Sequence, residues 1–170
     1  MPFIAAISKE NDCNFIRNSL IKNSKKNKFE VINVNEKNIE NIKNVRFDIV
    51  VIDEDIKEFL SKSNYLDNII NSSKYVLVNT DNIYQVDFVK NQNIKVITYG
   101  LNNSADFTIS SISDNVIMVC LQDSIEKINK DLIEQQEFNI SMKKNNLKKV
   151  HNMLPIFIIL CIYGDFLKKI

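Results

Sequence analysis

Glycine is almost missing from this chain of 170 residues: only Gly100 and Gly164 occur. The shortage matters most near the start. There the apolar run Phe3–Ile7 passes into Ser8-Lys9-Glu10-Asn11-Asp12-Cys13-Asn14. An α/β nucleotide enzyme carries a glycine-rich phosphate loop at such a strand-to-helix junction. That loop needs backbone that takes positive φ and lets an anion approach closely, which Lys9, Glu10 and Cys13 disfavour. The sequence therefore has the layout of a nucleotide-enzyme core without its phosphate cradle.

Other absences narrow the chemistry. His151 is the sole histidine, and the three cysteines, Cys13, Cys120 and Cys161, are far apart with no CxxC pair. This argues against a zinc site and against a disulfide framework. Cys120 and Cys161 lie in apolar runs and read as core; Cys13 has polar neighbours and reads as partly exposed. A cysteine at a helix N-terminus can be reactive, but Glu10 and Asp12 oppose a thiolate at position 13. Nothing in the sequence brings His151 to it, so that histidine reads as a cap or core residue. No Ser-His-Asp elbow and no aromatic platform for nucleic acid is present. The net charge is +1, so no strong field attracts nucleic acid or an anionic membrane. Met1-Pro2-Phe3 does not open a secretory signal, and the run Met153–Tyr163 is too short to cross a bilayer, so a cytoplasmic location is expected. Neither a cofactor nor a metal is expected.

What remains is an ordinary globular composition, 45% apolar and 25% charged, in a length that suits one domain with its own core. The abundance of Asn, Lys and Ile matches the bias of an AT-rich bacterial genome. Strand-like runs at Phe3–Ile7, Phe29–Val34, Phe47–Ile52, Tyr75–Val78 and Ile94–Thr98 alternate with helical stretches. Those are predicted over Cys13–Asn23, Glu36–Lys43, Ile56–Leu60, Tyr65–Ile70 and Ile83–Asn91. Continuous apolar strands separated by helices predict a mostly parallel sheet covered on both faces, a three-layer α/β fold. After residue 105 the rhythm changes. Asp106–Ile112, Val116–Leu121 and Glu137–Ser141 predict a small antiparallel patch. The last element, Asn152–Tyr163, reads as a buried helix with Pro155 in its first turn and Gly164 as its stop. The expected organisation is one domain over 1–170, with a parallel βα part (1–100), antiparallel strands (105–141) and a closing helix (145–170).

Three stretches resemble the central domain of the Mur ligases, ATP-dependent amide-forming enzymes of peptidoglycan synthesis. Tyr75-Val76-Leu77-Val78-Asn79-Thr80-Asp81-Asn82 is similar to a strand and its Asn-x-Asp-Asp turn. Lys95–Leu101 followed by Ala105-Asp106-Phe107 is similar to the next strand and the lead into antiparallel strands. Asn145-Asn146 through His151-Asn152 to Ile162-Tyr163-Gly164 is similar to the closing helix. The family's Thr-Gly-Thr-Asn-Gly-Lys-Thr falls on Ser8–Asn14. Lys9 and Asp12 replace both glycines, Cys13 the phosphate lysine and Asn14 the Mg²⁺-anchoring threonine. The resemblance implies the fold in a degenerate form, short of the family's outer domains and of its metal-binding middle stretch. ATP hydrolysis by this loop is not expected.

The candidate site residues are Ser8, Asn11, Asp53, Asn79 and Asp81. All are expected at strand C-terminal ends, where open α/β sheets bind ligands. Ser8 and Asn11 could offer hydrogen bonds to a small polar ligand, although a self-capping junction is the stronger reading. Asp53, in Asp53-Glu54-Asp55, could hold Mg²⁺; helix-start acids favoured by the dipole are the preferred alternative. Asn79 and Asp81 could approach adenine and ribose, as the resemblance implies, or form an Asx turn capping the next helix. Two functions stand side by side. One is a non-catalytic binding module that pairs with itself or with a protein partner. The other is a small-ligand or nucleotide binder, with or without residual ligase-like activity, using the strand-end crevice.

Overall fold

The computed structural model describes residues 1–53, 59, 63–90, 93–113, 115–141 and 150–165, the side chains of residues 150 and 151 excepted. The helix expected over Ile56–Leu60 lies outside the described residues apart from Phe59, as do Glu54, Asp55 and Asn145-Asn146.

Eight strands form one sheet: β1 (Phe3–Ile7), β2 (Glu30–Asn33), β3 (Ile49–Ile52), β4 (Tyr75–Asn79), β5 (Val96–Gly100), β6 (Phe107–Ile112), β7 (Val116–Leu121) and, after a short hairpin, β10 (Gln136–Ser141). Their order is β10-β7-β6-β5-β4-β3-β1-β2. All pairs from β2 through β6 are parallel, as expected for strands such as Ile49–Ile52 that are apolar and buried throughout. The strands after residue 105 extend this sheet. β6 joins β5 in parallel through Tyr99↔Phe107, then β7 and β10 turn antiparallel. The two-residue strands β8 (Ile125–Glu126) and β9 (Leu132–Ile133) make a separate antiparallel pair.

The period-two alternation of the strands builds two cores. Ile4, Ala6, Val51, Leu77 and Tyr99 face α1 (Glu10–Asn23) and α5 (Val150–Ile162). Ala5, Ile7, Val50, Ile52 and Val78 face the other way, into a cluster with residues of α2 (Ile39–Ile42), α3 (Ser63–Asn71) and α4 (Ile83–Val89). The helix α5 is buried nearly all round, and Ile125 and Ile133 of the small hairpin belong to the same cluster. No helix among the described residues is long and apolar enough to cross a membrane.

Three boundaries differ from the sequence expectation in ways that bear on the site. The helix α1 starts at Glu10, three residues before the expected Cys13, because the Lys9 carbonyl already accepts the amides of Asp12 (3.0 Å) and Cys13 (2.9 Å). Glu10 and Asp12 sit in the first turn, where the helix dipole favours them. The strand β5 ends at Gly100 rather than Thr98. Asp106 accepts the Thr98 amide and hydroxyl, both at 2.7 Å, and its own amide returns a 2.8 Å bond to that hydroxyl. This clamp carries Tyr99 and Gly100 into register with β6. The helix α5 starts at Val150, so Pro155 is inside the helix and not in its first turn.

The end of α5 matches its glycine. Gly164 has φ +62, its amide bonds to the Cys161 carbonyl (2.9 Å), and the Asp165 amide bonds to the Leu160 carbonyl (2.8 Å). These two bonds form a Schellman motif, which requires a left-handed residue after the last helical turn. The Asp165 side chain then fills a ring of donors in the turn after α1. The Ser24 hydroxyl and the backbone amides of Lys25 (3.0 Å), Lys26 (3.1 Å) and Asn27 (3.1 Å) all donate to it.

Candidate functional site

The strand order reverses at β1, which lies between β2 and β3. Open α/β sheets bind ligands outside the strand C-termini at such a point. Here the chain leaves β1 through only Ser8 and Lys9 before α1 begins. Of the residues matched to a phosphate loop, 10–14 are therefore the start of a helix. Position 13, matched to the phosphate lysine, belongs to the apolar core: Cys13 is 1% exposed and sits in one cluster with Ile4, Ile16 and Leu20. This corrects the expectation of a partly exposed Cys13. Burial pushes its thiol pKa up, against the opposing pull of Arg17. Cys120, expected in the core, is half-buried on β7, while Cys161 is buried.

Between the start of α1 and the end of β2 lies an open cavity of about 540 Å³, lined among others by Ser8, Asn14, Arg17, Asn33 and Glu36. The Arg17 guanidinium braces its wall, giving two bonds to the Val31 carbonyl (2.7 and 3.2 Å) and one to Asn14 Oδ1 (2.6 Å). Asn33 Nδ2 donates to the Ser8 carbonyl at 2.8 Å, tying the ends of β1 and β2 together. The lining holds Lys9, Arg17 and Lys37 against Glu10 and Glu36, so its charge is nearly balanced. Its polarity suits a small hydrogen-bonding ligand better than an apolar one.

Of the five candidate site residues, Ser8 alone lines this cavity; Lys9, Glu10, Cys13 and Asn14 of the stretch matched to a phosphate loop line it too. Ser8 is buried, and its hydroxyl donates to the Lys9 carbonyl at 3.2 Å. Asn11 is exposed on the first turn of α1. Asp53 is half-buried at the end of β3, with its amide on the Ile7 carbonyl at 3.0 Å. Asn79 Oδ1 accepts the Asp81 amide at 2.9 Å, and Asn82 caps α4 by accepting the Tyr84 amide at 3.1 Å. Asp81 turns its carboxylate onto the Leu101 amide at 2.9 Å. The Asx turn and the cap are thus both formed. Asp53 and Asp81 share one neighbour, the fully buried Tyr99, whose phenol pKa is raised by burial and then by these two charges. No group of three metal-ligating side chains occurs among the described residues.

Sequence reasoning missed Arg17 and Asn33, the braces of the cavity. Asn33 carried a weak signal, since it ends the strand beside β1 at the same edge as Ser8.

No protein-family model matches the sequence, and no curated protein matches it either. Among solved structures, the chain is similar to the UDP-N-acetylmuramoylalanyl-D-glutamyl-2,6-diaminopimelate–D-alanyl-D-alanyl ligase from Acinetobacter baumannii. The TM-score is 0.59 with 7% identity, over 96% of this chain and 43% of that one. The chain thus spans less than half the length of the ligase it matches, and the likeness is one of fold. The Mur-ligase-like α/β architecture read from the sequence is the architecture of this molecule.

Proposed function

We propose that this chain is a non-catalytic Mur-ligase-like protein that acts as a binding or protein-interaction module, linked to cell-wall metabolism. One observation carries the reading: the segment matched to the phosphate loop is helical from Glu10, with only Ser8 and Lys9 between it and β1. A phosphate cradle presents several successive amides to the anion from an open loop. Here the Asp12 and Cys13 amides bond to Lys9, and the helix end holds Glu10 and Asp12. On this reading the junction is a degenerate phosphate loop. Isothermal titration with ATP, with and without Mg²⁺, tests it. No Mg²⁺-dependent binding is expected, and saturable Mg²⁺-dependent binding with slow hydrolysis would overturn the reading.

The interaction role rests on a patch at the crevice rim. Ile83, Tyr84 and Leu101 are 66%, 52% and 51% exposed, and the Asp81–Leu101 bond holds their two segments together. Apolar groups clustered in this way favour self-association or a protein partner. Light scattering on the purified chain is expected to show a dimer or larger species that Leu101→Ser weakens. A strict monomer that captures no partner removes this version.

The 540 Å³ cavity favours a second reading, a small polar ligand held between α1 and β2. Ligand-observed NMR with nucleosides and amino sugars tests it, with Glu36→Ala as the variant expected to weaken any saturable signal.

A further inference from the structure

A second cavity, of about 400 Å³, lies at the opposite end of the sheet, below the starts of β4 and β5 and beside the β8–β9 hairpin. Its chemistry differs from that of the upper cavity. Lys74, Lys95, Lys127 and Lys130 line it, against one lining carboxylate among the described residues, Glu126. The chain as a whole is almost neutral, at +1, so this local excess of positive charge is not the average of the surface. Glu126 is shared by Lys95 (3.2 Å) and Lys130 (2.8 Å), and Lys74 pairs with Asp48 (2.7 Å) outside the lining. Lys127 forms no ion pair with any described residue. Ammonium groups that outnumber their carboxylates around one hollow leave a positive potential that only an added anion neutralises.

The wall is also built rather than incidental. Tyr75 is 6% exposed, and its hydroxyl donates to the Glu126 carbonyl at 2.9 Å, fixing the hairpin against β4. The Lys127 amide bonds to the Asp131 carbonyl (2.7 Å) and the Lys130 amide to the Lys127 carbonyl (3.1 Å), closing the turn. Lys130 is the one non-glycine residue with positive φ among the described residues, at 74. Glycine or asparagine is the usual occupant of that conformation, and asparagine abounds in this chain. A lysine there costs about 1 kcal/mol in backbone strain. Nothing in the packing of the turn repays it: Lys130 is exposed, and its pair with Glu126 is a surface pair of small worth. What the lysine does supply is a fourth ammonium at the mouth of the hollow.

We propose that this lower cavity binds a small multivalent oxyanion of the phosphate or pyrophosphate class, with Lys127 and Lys130 as the principal ligands and Lys95 and Lys74 as the flanking charges. Point-charge ammonium groups suit an oxyanion approached from several sides. The site is separate from the crevice at the strand C-termini and requires no Mg²⁺. Magnesium competes for the anion instead, so its effect has the opposite sign from that on a nucleotide-enzyme loop.

The test is isothermal titration of pyrophosphate into the full chain at constant ionic strength, with Lys127→Gln, Lys130→Gly and, as a control in the upper cavity, Lys37→Gln. Saturable binding is expected, weakened about tenfold by Lys127→Gln or Lys130→Gly and unchanged by Lys37→Gln. Lys130→Gly also keeps or raises the melting temperature, because glycine adopts this φ without strain. Loss of binding in that variant therefore cannot be loss of folding. The proposal is overturned if pyrophosphate gives no saturable heat. It is equally overturned if Lys127→Gln and Lys130→Gly bind like the parent, or if Lys37→Gln is the variant that fails.

Discussion

The carboxylate of Asp165 accepts the hydroxyl of Ser24 from 141 residues away, and the backbone amides of Lys25, Lys26 and Asn27 converge on the same two oxygens. Burial alone would raise this carboxyl's pKa. The hydrogen bonds from Ser24, the two lysine amides and Asn27 outweigh it and hold the group at about 2, against an ordinary 3.8. The folded value lies below the unfolded one, so the stabilisation is complete above about pH 4 and disappears as pH falls from there toward 2. Its size is on the order of 2 kcal/mol. Urea midpoints measured across that range should fall with acid in the parent, and Asp165→Asn should be less stable at pH 7 and flatter in its acid response.

Gly100 is required by what leans on it. A Cβ there would stand 2.6 Å from Thr80 Oγ1 and 3.0 Å from both Asp81 carboxylate oxygens. Gly100→Ala is therefore expected to cost about 1–3 kcal/mol by overpacking. Thr80→Ala in the same chain removes the nearest atom and should recover part of the loss. Chemical denaturation of the two single variants and the double variant reads this as a positive coupling.

Gly164 is required by its own backbone and not by space, since nothing lies within 4 Å of where its Cβ would be. Gly164→Ala should cost about 1 kcal/mol, the strain of a left-handed alanine. Gly164→Asn should cost less, because asparagine tolerates that conformation. Thermal unfolding of the two variants separates strain from crowding.

The cysteines should differ in reactivity. Cys13 and Cys161 are buried, and burial raises both thiol pKa values, while Cys120 is half-buried on β7. Alkylation of the native protein followed by mass spectrometry should mark Cys120 first. Cys13 and Cys161 should react only as the chain unfolds. Fast labelling of Cys13 would contradict its place in the core.

The sheet was legible where apolar residues run continuously, as in Ile49–Ile52 and Tyr75–Val78, because central parallel strands are buried on both faces. The limit of β5 was not. Thr98 reads as a strand end, and the bonds that carry the strand on to Gly100 come from Asp106, eight residues later. The hairpin of β8 and β9 has two-residue strands, too short for any periodicity to show. Glu10 and Asp12 read in sequence as acids that use the positive end of the first helix, and in the fold they occupy its first turn. The cavity was legible along the β1–α1 junction, where Ser8, Lys9, Glu10, Cys13 and Asn14 line it. Arg17 and Asn33 come from different elements, and only tertiary bonds bring them together. The donors around Asp165 are mostly backbone amides, which no side-chain pattern announces.

The early start of α1 also decides what simple engineering could achieve. Writing glycines at positions 9 and 12 and a lysine at position 13 would restore the letters of a phosphate loop without its shape. The new ammonium would start from a nearly buried position and meet the Arg17 guanidinium, which already stands 3.9 Å from the Cys13 sulfur, and like charges that close repel. A route back to nucleotide chemistry would have to unwind a helical turn and turn one of its residues outward before any single lysine could help. On this backbone, substitution alone runs in one direction.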